Sequence, residues 1–360
     1  MSWLVFLMTA LVAFGLTRLS ITLSFRIGAL DVPNARSSHS QPMPRLGGLG
    51  VVGAVAIVVG VLAVTQAAGL INYPLFTRQT IVVLGAGLGM AVTGLCDDLY
   101  QLRARVKFLM QFVLACLVVG FGYRIEVVEV AGGSPLALGL LALPVSVLWL
   151  VAFCNLYNFM DGIDGISTLT AAVYFVFFSV FAWSVSAPEL AGLAMVFAGS
   201  CVGSLPLNFP FARTFMGDTG SLFLGMTLGI YVILFAQRSP ALLIPSVLVC
   251  SAYLWDTGFT LVRRLVRGEN IFAAHRTHLY QRLVQLGHSH ARITVLYLIL
   301  HLITGSLALA YYSSGNAARL AILGLVVLIL TAYTLSVYWL EARAARVRDH
   351  QAEGAAGSRV

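Results

Sequence analysis

The sequence predicts an all-α, polytopic integral membrane protein with about eleven transmembrane helices, ten being the alternative count. Two observations carry this. Of the 360 residues, 59% are hydrophobic and only 10% are charged, against about 25% charged in soluble domains. Apolar stretches of about 20 residues, each long enough to cross a bilayer as a helix, recur along the whole chain. The short alternating segments of a membrane β-barrel are not seen.

The spans are expected at 2–24, 46–68, 78–96, 107–122, 138–155, 167–185, 189–206, 219–237, 241–262, 292–312 and 318–339. The first, "SWLVFLMTALVAFGLTRLSITL", lacks a basic n-region and a small-residue cleavage site, so it reads as a retained span. Residues 1–340 form a single membrane domain in this reading. Residues 341–360, "EARAARVRDHQAEGAAGSRV", are expected to be a cytoplasmic polar tail, disordered beyond its first turn.

Orientation follows from the cations, 21 Arg and one Lys. With the N-terminus outside, only Arg78, Arg124, Arg238 and Arg319 fall in outer loops, and Arg18 lies within the first span. The remaining seventeen lie in inner loops, in the tail or at Arg292 beside the tenth span, which places the N-terminus on the periplasmic side. The net charge of +8 therefore reports topology first, and no nucleic-acid partner is expected. Cys96, Cys116, Cys154, Cys201 and Cys250 are scattered singly in apolar segments without a CxxC, as small buried hydrophobes would be.

Most of the 14 carboxylates fall on the inner side. "GLCDDLYQLRARVKFLMQ" sets Asp97 and Asp98 at the inner end of the third span, followed by Arg103, Arg105 and Lys107. Two adjacent carboxylates at an apolar helix end repel each other and call for a cation. In "NLYNFMDGIDGIS", Asn155, Asn158, Asp161 and Asp164 recur every third residue, a spacing that pairs neighbours on one helical face. A plain turn between two spans would not need two amides and two carboxylates. "FPFARTFMGDTGSLFLG" places Asp218 at the start of a span, where it can cap the helix or hold a metal beside a phosphate.

The long loop 263–291 holds four of the seven histidines. His275 and His278 flank Arg276, a cationic set suited to a pyrophosphate, while His288 and His290 read as a solvated loop end. This loop has neither Cys nor a Glu-x-x-His spacing, so zinc is not expected. The first loop, "DVPNARSSHSQPMPRLGGLG", is polar and turn-rich, and Arg45 could cover an anionic ligand.

Together these motifs resemble the polyprenyl-phosphate N-acetylhexosamine-1-phosphate transferases, a superfamily that includes the phospho-MurNAc-pentapeptide translocase and the enzymes that initiate O-antigen. The resemblance covers roughly residues 31–290, with five motifs in the family's order: "VPNARSSHSQPMPRLGG", "GLCDDLYQLRARVKFLMQ", "NLYNFMDGIDGIS", "FMGDTGS" and "HRTHLYQRL". It implies transfer of a sugar-1-phosphate of N-acetylhexosamine type from a UDP-sugar to undecaprenyl phosphate, with release of UMP. The reaction would take place on the cytoplasmic face of the bacterial inner membrane and would start a lipid-linked glycan. Mg²⁺ is the implied cofactor, with Mn²⁺ as a substitute, and a homodimer is admitted. Asp218 is implied as a metal ligand and Asp97 with it. Asp97, Asp98, His275 and His278 are the implied catalytic residues. Asn155, Asn158, Asp161, Asp164, Arg45 and Arg276 are the implied substrate-binding set. "HRTHLYQRL" replaces the histidine run of the peptidoglycan enzyme, and the first loop lacks its lysines. Both departures favour the O-antigen initiating branch. The rival class, a transporter or flippase for a lipid-linked or anionic substrate, predicts mid-span polar residues and repeat symmetry. Here the polar motifs cluster toward one face and no repeat is found.

Overall fold

A computed structural model describes residues 2–33, 41–71, 76–131, 133–270 and 275–357. Its helices are α1 (Ser2–Ile27), α2 (Gly48–Ala67), α3 (Arg78–Tyr100), α4 (Ala104–Gly120), α5 (Ala142–Phe159), α6 (Ile166–Ser184) and α7 (Pro188–Asn208). The chain continues with α8 (Gly217–Arg238), α9 (Leu243–Val249), α10 (Ser251–Val266), α11 (Leu279–Gln285), α12 (His290–Ser313) and α13 (Asn316–Gly357). Two short antiparallel ribbons complete it, β1 (Leu30–Asp31) with β2 (Met43–Pro44) and β3 (Val127–Val128) with β4 (Leu136–Ala137). The expected all-α membrane class is what the structure shows.

Each expected span meets a helix, but not all are full spans. Among the described residues, nine helices are long and apolar enough to cross a membrane, or ten if the bent pair α9–α10 counts as one. The expected span 241–262 is broken near Cys250, where the chain turns by 72°. The expected span 107–122 is α4, which has 17 residues and carries Arg105 and Lys107 in its first turn. The tail also differs from expectation. Residues 341–357 continue α13 as helix rather than losing structure after one turn.

The centre of the bundle is α8, whose side chains from Thr219 to Ala236 are all buried. Aromatic rings from α6, α7 and α8 interlock there: Phe175 stacks on Phe197 at 4.6 Å, and Phe178 lies 5.8 Å from Tyr231. Outward-facing positions instead carry large apolar residues, among them Trp3, Leu11 and Trp183, as lipid contact requires. Lipid-embedded helices approach closely where small residues meet. At Gly94 of α3, a Cβ would stand 2.2 Å from the Asp218 carbonyl oxygen. That glycine lets the Asp97–Asp98 end of α3 lie directly against the start of α8.

Candidate active site

The start of α8 is where the sequence motifs converge. Gly217 adopts the left-handed region, with φ +66°, and presents the first amides of α8. Those amides have no partner within the helix, and the buried carboxylate of Asp98 supplies one from α3. Asp98 accepts from the Asp218 N–H at 3.0 Å, the Thr219 N–H at 2.9 Å and the Thr219 hydroxyl at 2.6 Å. Arg45 pairs with it at 3.2 Å. An anion at a helix N-terminus is favourable, and an arginine beside it offsets its desolvation. Asp98 is thus the cap of α8, and its side chain has no exposed surface.

Its neighbour faces elsewhere. Asp97 accepts from the Lys107 ammonium at 3.0 Å, and the same ammonium donates to Asp218 at 2.9 Å. Asn158 donates to the other Asp218 oxygen at 3.1 Å and to the Ser221 hydroxyl at 2.8 Å. One turn further along α4, Gln111 pairs with Asn155 through two amide hydrogen bonds of 3.3 and 2.5 Å. Two carboxylates, an ammonium and a fixed amide therefore meet at the junction of α3, α4, α5 and α8. Asp97 and Asp218 share the Lys107 ammonium between them. Among the described residues, no cluster of three or more His, Cys, Asp or Glu side chains stands in metal-binding array.

The spacing in "NLYNFMDGIDGIS" works differently from expectation. Helix α5 ends at Phe159, so Asp161 and Asp164 lie in the following loop and do not pair on a helical face. Asn155 and Asn158 share α5 but bond different partners. Asp164 ties the loop down: one carboxylate oxygen lies 3.1 Å from His290 Nδ1, and the other accepts from the Ala212 N–H at 3.2 Å. Its carbonyl accepts from the Thr294 hydroxyl at 2.8 Å. His290, expected at a solvated loop end, is instead part of this clamp. Burial pushes the Asp161 carboxyl up to about 7, the negative charges of Asp218 and Asp98 adding to the rise.

The histidine segment docks on the same loop. Tyr280 donates to the Phe159 carbonyl at 3.1 Å, and a Cβ at Gly162 would stand 2.1 Å from the Tyr280 oxygen. Only glycine fits there. The rings of His275 and His278 are 4.9 Å apart. Burial, with the neighbouring His278 charge, lowers His275 to about 4. His275 is therefore neutral at pH 7, and Arg276 is the permanent cation of the expected set. The start of α11 is capped by Asp256 of α10, which accepts from the Leu279 N–H at 2.8 Å and the Tyr280 N–H at 3.1 Å. Of the first-loop motif, residues 34–40 lie outside the described residues. Arg45, expected to cover a ligand, is engaged with Asp98.

Lys107, Gln111, Asp256, Tyr280 and His290 take part in these contacts although the motifs did not single them out. Lys107 did carry a signal, as the single lysine of the chain. Asp256 carried another, as a lone carboxylate inside an apolar stretch.

Fold and site together define a polytopic membrane protein whose polar groups converge where its helices end, and comparison with known proteins is consistent with that class. Residues 80–236 match the model of glycosyl transferase family 4. The chain is 34% identical to the "Probable undecaprenyl-phosphate N-acetylglucosaminyl 1-phosphate transferase" of Bacillus subtilis, over 82% of this chain and 80% of that protein. It is 31% identical to the decaprenyl-phosphate N-acetylglucosaminephosphotransferase of Mycolicibacterium smegmatis, over 92% of this chain and 87% of that protein. A phospho-N-acetylmuramoyl-pentapeptide-transferase of Halalkalibacterium halodurans is 28% identical over 74% and 82%. The chain belongs to glycosyl transferase family 4.

Proposed function

We propose that this protein transfers N-acetylglucosamine 1-phosphate from UDP-N-acetylglucosamine to a polyprenyl phosphate, undecaprenyl phosphate in the first instance, and releases UMP. The observation that carries the proposal is the convergence of Asp97, Lys107, Asn158 and Asp218 at the N-terminus of α8. Phosphoryl transfer asks chiefly for charge neutralisation and in-line placement. This junction offers charged groups beside helix ends, where a lipid phosphate can stay in the bilayer while its head group reaches water. The excess of inner-loop arginines supports a reaction on the cytoplasmic side of the inner membrane.

In the reaction an oxygen of the lipid phosphate attacks the sugar-bearing phosphorus of the donor. The bond from that phosphorus to the oxygen bridging to the uridine-bearing phosphate breaks, and UMP leaves with that oxygen. A phosphate monoester has its second pKa near 6, so the acceptor is mostly dianionic at neutral pH and needs no strong base. Lys107 brings one compact positive charge with three donors to the reacting phosphates. Asn158 holds Asp218 in orientation. Asp161 and the clamped loop 160–165 line the donor side, with Arg276 available to the diphosphate.

Mg²⁺, with Mn²⁺ as substitute, is the proposed cofactor, and the pair of carboxylates that share the Lys107 ammonium supports it. That ion is commonly held by one or two carboxylates that leave positions for water and phosphate oxygens. Asp97 and Asp218 would hold it, and it would supply charge neutralisation at the diphosphate.

The test is UMP release by the purified protein given undecaprenyl phosphate, Mg²⁺ and a panel of UDP-sugars. UDP-N-acetylglucosamine should be the preferred donor, and Asp218→Asn should lower turnover by about 10³-fold. Absence of UMP with every donor would overturn the proposal.

A further inference from the structure

We infer that Asp256 is the positioning residue of the His275–His278 segment: from inside the bundle it fixes where those side chains stand relative to the donor loop. Its side chain has no exposed surface, so it cannot touch a substrate itself. Yet it accepts from two backbone amides and two hydroxyls. One oxygen accepts from the Leu279 N–H at 2.8 Å and the Thr260 hydroxyl at 3.3 Å, with His278 Nδ1 also 3.3 Å away. The other accepts from the Tyr280 N–H at 3.1 Å and from the Tyr297 hydroxyl. Each oxygen thus holds one backbone amide at the start of α11. Those two amides immediately follow His278, and Tyr280 carries the hydroxyl that docks on Phe159 and Gly162. A shift of the cap therefore moves the histidine segment and the donor loop together.

The support behind the carboxylate is built in depth. The Tyr297 hydroxyl lies 3.1 Å from that of Tyr333 on α13. Arg282 of α11 binds Glu341 of α13 through two nitrogens of its guanidinium and stands 4.1 Å over the Tyr338 ring. The C-terminal helix is in this way the back wall of the α11 cap. At residue 256 an asparagine keeps the shape but has one acceptor oxygen. It can serve the Leu279 amide or the Tyr280 amide, and its own N–H₂ group would face the other.

The inference leans on the proposed transfer only in its kinetic arm. In hydrogen exchange on the purified full chain in detergent, Asp256→Asn should speed exchange in peptides covering 279–285 by about tenfold. Peptides covering 217–221 should be unchanged. In the UMP-release assay the same variant should lose about 10- to 100-fold in kcat/KM for the nucleotide sugar, while the KM for the lipid phosphate stays within about twofold. Tyr297→Phe keeps the charge and both amide bonds, and should shift exchange and kinetics in the same direction by less, which also covers the case in which Asp256→Asn does not fold. Unchanged exchange over 279–285 in the variants would overturn the inference. So would equal losses toward donor and acceptor. A wild-type protein that released no UMP would sink the transfer reading instead, and the exchange result would still decide the role of Asp256.

Discussion

Two helices of this protein begin on a carboxylate borrowed from another helix, and they differ in what balances the charge. At α8, Asp98 of α3 holds the first amides, and Arg45 stands against it at 3.2 Å. At α11, Asp256 of α10 holds the first amides, and the facing groups are His278 and the Tyr297 and Thr260 hydroxyls. A guanidinium is charged at every physiological pH, whereas a hydroxyl donates a hydrogen bond without bringing a positive charge. The α8 end is thereby a fixed platform that presents Asp218 to Lys107. The α11 end is held by backbone amides and hydroxyls on a buried carboxylate, and it presents a segment whose His275 is neutral at pH 7. The first arrangement suits a site that gathers anions. The second holds a segment in place by hydrogen bonds, with Arg276 as the segment's permanent charge.

The largest expected effect falls on the charged platform. Asp98→Asn leaves Arg45 without its partner and one α8 amide without an acceptor. Breaking a buried pair by removing one member costs about 3–5 kcal/mol. The melting temperature in detergent should drop sharply, with transfer activity lost. If Asp98→Asn melted within a degree or two of wild type, the distinction drawn between the two caps would fail, since Asp98 would then carry no more than an ordinary surface carboxylate.

The loop 160–165 joins the two caps, and its fit can be broken from one side and mended from the other. Gly162→Ala would place a Cβ 2.1 Å from the Tyr280 oxygen. Activity should fall about tenfold through displacement of α11. Adding Tyr280→Phe removes that oxygen and should restore part of the loss, although the nearest ring carbon, 3.0 Å from the same Cβ, keeps recovery incomplete. A double variant no better than Gly162→Ala would show that the contact does not transmit the effect. Steady-state kinetics on the single and double variants measure this directly.

How much of this was legible in the sequence depends on the range of the interaction. The membrane class and the position of nearly every helix follow from hydropathy, because a helix in lipid must satisfy its backbone by itself. The DD pair, Asp218 and Asn158 were legible because local motifs carried them. The division of labour within the pair was not: Asp97 and Asp98 are adjacent in sequence, and only the close approach at Gly94 decides which one reaches the α8 amides. Asp164–His290 and Asp256–Leu279 join residues 126 and 23 positions apart, beyond any periodic signal. The three-residue rhythm of Asn155, Asn158, Asp161 and Asp164 misled for a local reason. The helix stops at Phe159, so a helical spacing crosses a boundary that two glycines blur.

The smallest effect expected is a pH dependence lodged in the loop between the caps. Asp161 titrates near 7 in the folded protein because of burial first and of the Asp218 and Asp98 charges second. In the unfolded chain it titrates near the ordinary carboxylate value, about 3.9. Between these values the folded state binds more protons than the unfolded state, so stability falls as pH rises from about 4 to about 7 and then levels off. Asp161→Asn removes that contribution. Compared with wild type, the variant should melt at a similar temperature near pH 4.5 and a few degrees higher near pH 8, read by thermal unfolding in detergent without added divalent cation. A wild-type curve that matched the variant across this range would show that the loop carboxyl is ionised throughout, and that the platform at α8 does not extend its field to the donor loop.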